Sequence, residues 1–317
     1  MSEARNAVNF KEFPKPCYVI LHIGRGPTLA QDADGFQLIV SDGARFQLRE
    51  DIWIERLDES TAKNVQRACE PAHYKIDREI LDRHLYAFVM QVPHRQQTRY
   101  DGLDTLHAVV SLSRLVNPTS TGGRYCAQIM HFGLRDSAIL AVEYRGASLD
   151  VTLGPRDRDW LSREDGETLL KLMPWTVKDK MMHPRVHRAY WNHEYAMRTS
   201  YIDLRWTIVV AGLEALINVE KSNNRDQFWR RAQKLASYFN IPATEDELKG
   251  AYDMRSKLIH AESFLFGLDS ILPRAEHNPL YEKLELVLRS TVRAALLDEN
   301  FGSSFKDDKS VLANWSP

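Results

Sequence analysis

Apolar residues recur along this chain with two different periods, and the change from one to the other divides it. From 17 to 57 the pattern is that of strands. CYVILHI, FQLIV and ARFQLRE are short, β-branched or alternating, and parted by GRGP, DADG and SDGA, whose Gly, Pro and Asp suit turns. Residues 59–69 read as a helix, and REILDRHLYAFVMQV (78–92) and LDTLHAVVSLSRLV (103–116) carry apolar residues at helical spacing. NPTSTGG is expected to turn the chain into further strands over YCAQIMHF, AILAVEY and SLDVTL. In SREDGETLLKLM (162–173) Ser162 suits an N-cap, and the helix should end before Pro174.

Beyond Pro184 the strand pattern nearly vanishes. Helices are predicted over 185–200, 202–220, 225–239, 244–262 and 278–300, with Pro242, Pro273 and Pro279 between them. Asn224 suits a cap for the third. Thr244 with Glu247 fits a capping box, and the acidic TEDE suits a helix N-terminus. Four or five helices on short loops imply an up-down bundle. The expected fold is therefore α+β: a mixed α/β region over 1–180, an all-α bundle over 181–301, and a polar, flexible tail over 302–317.

Composition narrows the setting. With 317 residues, 44% apolar and 27% charged, the chain can bury one large or two modest cores. Its net charge of −1 provides no overall basic field toward nucleic acid or membrane. Cys17, Cys69 and Cys126 form no CxxC pair, which argues against a cysteine zinc site and fits a reducing compartment. The N-terminal residues include acidic side chains and lack an apolar h-region, so no signal peptide is expected. The longest apolar run, around 206–219, is broken by Glu214. These features point to a soluble cytoplasmic protein with no membrane partner.

Glu214 is the first sign of chemistry. A carboxylate inside WTIVVAGLEALINV is costly to bury without a charged or hydrogen-bonded partner. Arg255 or His260, in DMRSKLIHAES, could supply one from a packed neighbouring helix. An Arg-x4-His spacing alone carries little weight, since about one arises by chance in a chain this size. A second copy, Arg188 and His193, is present. Ser256 and His260 stand four apart and would share a helix face, whereas Arg255 and His260 would lie about 140° apart. That pair converges only where the arginine wraps round, where the helix ends near His260, or where two copies meet across a dimer.

The segments WTIVVAGLEALINVEKS, FWRRAQKLASYF and LKGAYDMRSKLIHAES, in that order, resemble the HEPN superfamily and, within it, the Apea-like HEPN proteins. The resemblance covers about 185–300, with a looser likeness back to residue 103. The family often has Gly after the motif histidine, where this chain has Ala261. What the resemblance implies is a metal-independent endoribonuclease without cofactor, dimeric through the bundle. Arg255 and His260 would be the motif pair and Ser256 the polar residue after the arginine, with Glu214 in support. It also implies RNA as substrate and a setting in phage defence or a toxin-like stress response. The N-terminal region would sense a trigger or hold a regulatory partner or ligand.

The chemistry suits these residue types. RNA carries its own nucleophile, a histidine can act as acid or base near neutral pH, and an arginine holds phosphate oxygens in a fork. The same residues also allow plainer readings. These are a non-catalytic RNA- or nucleotide-binding module, or a structural dimerisation bundle in which Arg255 and Glu214 form an ion pair and His260 caps a helix.

Three further features carry candidate chemistry. Arg230, Arg231 and Lys234 lie beside Phe228 and Trp229, a combination that suits single-stranded RNA or else a solvated basic face over a packed aromatic one. Residues 181–300 carry equal numbers of basic and acidic side chains, so RNA affinity would have to come from such a patch. His183, His187 and His193 include a four-residue spacing, but no HExxH accompanies it and no metal is expected. GRG (24–26) and TGG (121–123) are too short for phosphate loops and read as turns.

Overall fold

The structure, a computed structural model, describes residues 17–22, 39–40, 45–69, 86–91, 99–119, 121–130, 138–142, 160–176, 181–199, 202–219, 224–259 and 274–316. The fold is α+β. Six strands, β1 (Cys17–His22), β2 (Arg45–Arg49), β3 (Ile52–Arg56), β4 (Tyr86–Gln91), β5 (Thr121–Met130) and β6 (Ala138–Val142), form one sheet in the order β2-β3-β4-β1-β5-β6. Every neighbouring pair is antiparallel.

Both faces of the sheet centre are covered. Val19, Leu21, Trp53, Ala87 and Val89 pack with Ala62 and Val65 of α1 (Glu59–Cys69). Tyr18, Ile20, Ile54, Phe88 and Met90 face α2 (Arg99–Val116), whose Leu103, Leu106 and Val110 are buried. A strand buried on both faces reads as a continuous apolar run rather than an alternating one. That is why YAFVMQ, expected within a helix over 78–92, forms the central strand β4 instead. Residues 78–85, FQLIV up to Leu38 and SLDVTL lie outside the described residues. TGG, expected in a turn, opens β5. The helix expected over 103–116 starts earlier, at Arg99.

α3 (Arg163–Leu172) begins with the expected Ser162 cap, as one half of a capping box with Asp165, and runs into a 3₁₀ turn over Met173–Thr176. Five longer helices follow: α4 (Pro184–Arg198), α5 (Ile202–Ile217), α6 (Asn224–Tyr238), α7 (Glu245–Ile259) and α8 (Arg274–Leu297). α5 is the central one, with Trp206, Val209, Val210, Leu213, Leu216 and Ile217 all fully buried. It packs on α4, α6, α7 and α8. Gly212 permits the last contact, since a Cβ there would lie 2.7 Å from Leu288 Cδ2. One apolar core runs without a break from the α2 side of the sheet into these helices.

The helix ends follow local chemistry. Thr244 and Glu247 form the expected box, with the Thr244 N–H donating to the Glu247 carboxylate at 2.8 Å and the Glu247 N–H to Thr244 Oγ1 at 3.2 Å. α6 ends in a Schellman turn. Asn240 takes φ 56°, and the Ile241 and Asn240 N–H groups donate to Ala236 and Ser237. α8 starts before Pro279 rather than after it, so the proline sits inside the helix.

The segment after Gly302 is not a loose tail. α9 (Glu299–Ser303) and α10 (Asp308–Trp315) are capped by Asp298 and Asp307. Phe305 is fully buried and stacks on Trp315 at 5.3 Å, and Phe301 lies 5.1 Å from Tyr238 of α6. The abundant polar residues hide two aromatics, Phe305 and Trp315, which meet each other and Phe301 only once both short helices form. Among the described residues, no helix is long and apolar enough to cross a membrane.

Candidate functional site

α5 and α7 pack side by side, and their contact brings Glu214 to Arg255. The Arg255 guanidinium lies 2.9 Å from the Glu214 carboxylate, with the two side chains 24% and 15% exposed. Glu214 stands one turn after the fully buried Val210 and directly after the fully buried Leu213, at the edge where the apolar face of α5 gives way to the surface. The partner that the sequence demanded for this carboxylate is therefore the arginine. Arg255 also draws on its own helix, since Met254 and Ala251 anchor the buried face of α7.

Burial pushes the Glu214 carboxyl above its ordinary value, and the Arg255 charge offsets this only in part. Arg255 Nε is buried with no hydrogen bond among the described residues. The rest of the guanidinium is held by Glu214 yet reachable from solvent. Beside it, Tyr252 is raised by burial and by the Glu214 charge, and its ring lies 5.6 Å from Phe228. Arg225 of α6 pairs with Asp253 at 2.6 Å and ties α6 to α7. The site is thus a guanidinium of α7 held by a carboxylate of α5, on a helix that Arg225 and Phe228 of α6 brace from the side. Such a group can bind an anion, but cannot itself transfer a proton.

Ser256 is half-buried and follows Arg255 on α7. His260 lies outside the described residues, as does the Ala261 position. The second Arg-x4-His copy is not a site. Arg188 is exposed, whereas His193 is fully buried against Glu285 of α8 at 2.9 Å.

The basic stripe on α6 does not form as expected. Arg231 is buried, its Nη1 donating to the Ile217 carbonyl and to Gln227 Oε1, both at 2.8 Å. It satisfies a backbone acceptor left over at the end of α5. Neighbouring helical residues stand about 100° apart, and here that step turns Arg231 inward while Arg230 stays outside. Arg230 is exposed over the Trp229 ring at 5.2 Å, and Lys234 donates to the Ser316 carbonyl. His183 is the N-cap residue of α4, and His187 accepts from Trp191 Nε1 at 2.9 Å. Among the described residues, no group of three or more side chains is placed to hold a metal ion.

A second charged cluster is buried between α2 and α4. Arg114 of α2 pairs with Glu194 of α4, and both are fully buried. Glu194 Oε1 also accepts from Arg198 Nε at 2.6 Å, and Arg114 donates to the Thr121 carbonyl on β5. Burial raises the Glu194 pKa, but the two guanidiniums outweigh it, so the carboxyl titrates below its ordinary value. These residues lock α2 to α4. Unlike Glu214, Glu194 stands among polar residues in PRVHRAYWNHEYAMR, so nothing local marks it as buried. No model of a known protein family, no curated protein and no solved structure matches the chain.

Proposed function

We propose that the chain is a metal-independent endoribonuclease of the HEPN type, dimeric through its helices, with Arg255 and His260 as the working pair. The observation that supports this reading is the Glu214–Arg255 contact at 2.9 Å. It restrains a guanidinium at a solvent-reachable edge, five residues before the histidine. A restrained fork loses less entropy on taking a phosphate than a free one.

In this reading the 2′-oxygen of RNA attacks the adjacent phosphorus, and the bond to the 5′-oxygen breaks. One proton leaves the 2′-hydroxyl and one reaches the departing 5′-oxygen, giving a cyclic phosphate and a 5′-hydroxyl end. His260 from each of two protomers serves one of these transfers. Arg255 offsets the charge that builds on the phosphorane oxygens, and Ser256 orients the imidazole. Glu214 is a positioning residue that acts through Arg255. The mixed α/β region restrains or triggers the nuclease, and the setting is cytoplasmic.

The test is incubation of purified full-length protein with RNA in EDTA. Cleavage that persists, is lost in His260→Ala and Arg255→Ala, and stops when the scissile ribose lacks its 2′-hydroxyl supports the reading. Cleavage unchanged in His260→Ala overturns it. Binding without cutting would make the chain an RNA- or nucleotide-binding module. Neither, in a stable dimer, would leave a dimerisation scaffold.

A further inference from the structure

Between α2 and α4 lies a cavity of about 730 Å³, a size typical of small-molecule sites. It sits at the seam between the helix that covers the sheet and the first helix of the bundle. The buried Arg114–Glu194 pair ties the two helices together at one end of it. Their facing residues build the walls: Asp104, His107 and Ser111 from α2, and Tyr190, Trp191 and Arg198 from α4. Trp175 from the 3₁₀ turn adds a further aromatic ring.

The walls specify a ligand by their chemistry. Most of the lining is apolar, and Trp191 is 38% exposed, with its indole fixed by the bond to His187 and its ring 5.7 Å from Tyr195. That is a stacking surface for a planar ring. Asp104 is exposed at the wall and, when ionised, can only accept hydrogen bonds, so it suits a ligand that carries hydroxyl or amino donors. At the far end one carboxylate, Glu194, is shared by two guanidiniums, Arg114 and Arg198. Arg114 is buried, while Arg198 is 28% exposed. The surplus positive charge of that triad therefore reaches the cavity at Arg198, where it suits an anion. Aromatic ring, hydrogen-bond donors and anion together describe a nucleotide.

We infer that the cavity between α2 and α4 binds a nucleotide, with its base on Trp191, its sugar or amino donors toward Asp104 and its phosphate at Arg198. The inference does not depend on the nuclease reading, since Arg255 does not line the cavity. Either a free nucleotide or one nucleotide of an RNA strand could supply this chemistry.

The full chain is titrated with adenosine monophosphate, adenosine, inorganic phosphate and a short single-stranded RNA, read by tryptophan fluorescence and by calorimetry. Adenosine monophosphate is expected to bind, with adenosine about tenfold weaker for want of the charged contact. Trp191→Ala should weaken binding by about tenfold or more through lost stacking. Ala108→Trp fills the cavity from α2 without removing a polar group, and should abolish binding while the protein still melts cooperatively. Arg255→Ala should bind adenosine monophosphate in this cavity as tightly as the wild type, so loss of cleavage and loss of this site are read separately. RNA that competes with adenosine monophosphate, and is blocked by Ala108→Trp, identifies the strand as the source; RNA that does not compete identifies the free nucleotide. The inference is overturned if neither adenosine monophosphate nor the RNA binds, if inorganic phosphate binds as tightly as adenosine monophosphate, or if folded Ala108→Trp and Trp191→Ala bind like the wild type.

Discussion

Glu214 of α5 and Arg255 of α7 stand 2.9 Å apart, yet the carboxyl titrates above its ordinary value because burial outweighs the guanidinium beside it. A folded-state pKa above the unfolded one means that the folded protein holds this proton more tightly. The associated stability is fully present below the unfolded value, about 4.3, and is lost as pH rises through the folded value. Glu214→Gln should therefore gain stability relative to the wild type as pH rises from 4 to 7, measured by urea unfolding at each pH. A wild type that gains on the variant over this range would contradict the assignment. If Glu214 positions Arg255, the same variant should cleave RNA more slowly with little change in KM.

Glu194 behaves in the opposite sense. Its carboxyl is held low by Arg114 and Arg198 against the effect of burial. Its contribution is present above the unfolded value and lost as pH falls through the folded one. Glu194→Gln leaves a fully buried guanidinium facing a neutral amide, and should cost on the order of 3–5 kcal/mol in chemical denaturation. Replacing Arg114 and Glu194 together with methionine should recover part of that loss, because neither charge is then left buried alone.

The C-terminal helices are part of the core. Truncation after Lys306 removes the Val311 and Trp315 side chains, both buried. Trp315→Ala alone should destabilise by about 3–5 kcal/mol, read from the urea midpoint. A change under 1 kcal/mol would restore the loose-tail expectation.

Asn240 holds a left-handed conformation at the end of α6. Asn240→Val should cost about 1–2 kcal/mol, whereas Asn240→Gly should be neutral or slightly stabilising. Thermal melts of the two variants check the difference.

Cys17 lies in β1, and its thiol is pushed up to about 12, chiefly by burial and also by the Glu55 charge. Alkylation of the native protein at pH 8, followed by peptide mapping, should leave Cys17 unmodified, and denaturation should expose it. Rapid native labelling of that peptide would show that β1 is not packed as described.

How much was legible varied with the physics of each element. The five bundle helices, the Ser162 cap and the Thr244–Glu247 box were readable because periodicity and caps are local. β4 reads as helix because covering both faces of a strand erases the alternation that separates strand from helix. The burial of Arg231 is not legible locally, because it depends on the Ile217 carbonyl that the neighbouring helix presents to it. The polar look of 302–317 concealed aromatics whose partners, Tyr238 and Phe301, lie on other helices.

The sequence by itself determined that Glu214 needs a cation, since an ionised carboxylate in an apolar helix is costly wherever that helix goes. It also determined where most helices begin, because capping is settled within four residues. Which cation answers, Arg255, depended on the register of α5 against α7. The Arg114–Glu194–Arg198 triad and the cavity beside it depended on how α2 meets α4, across 80 residues of chain. Contacts of that range are chosen by packing, and no local pattern records them.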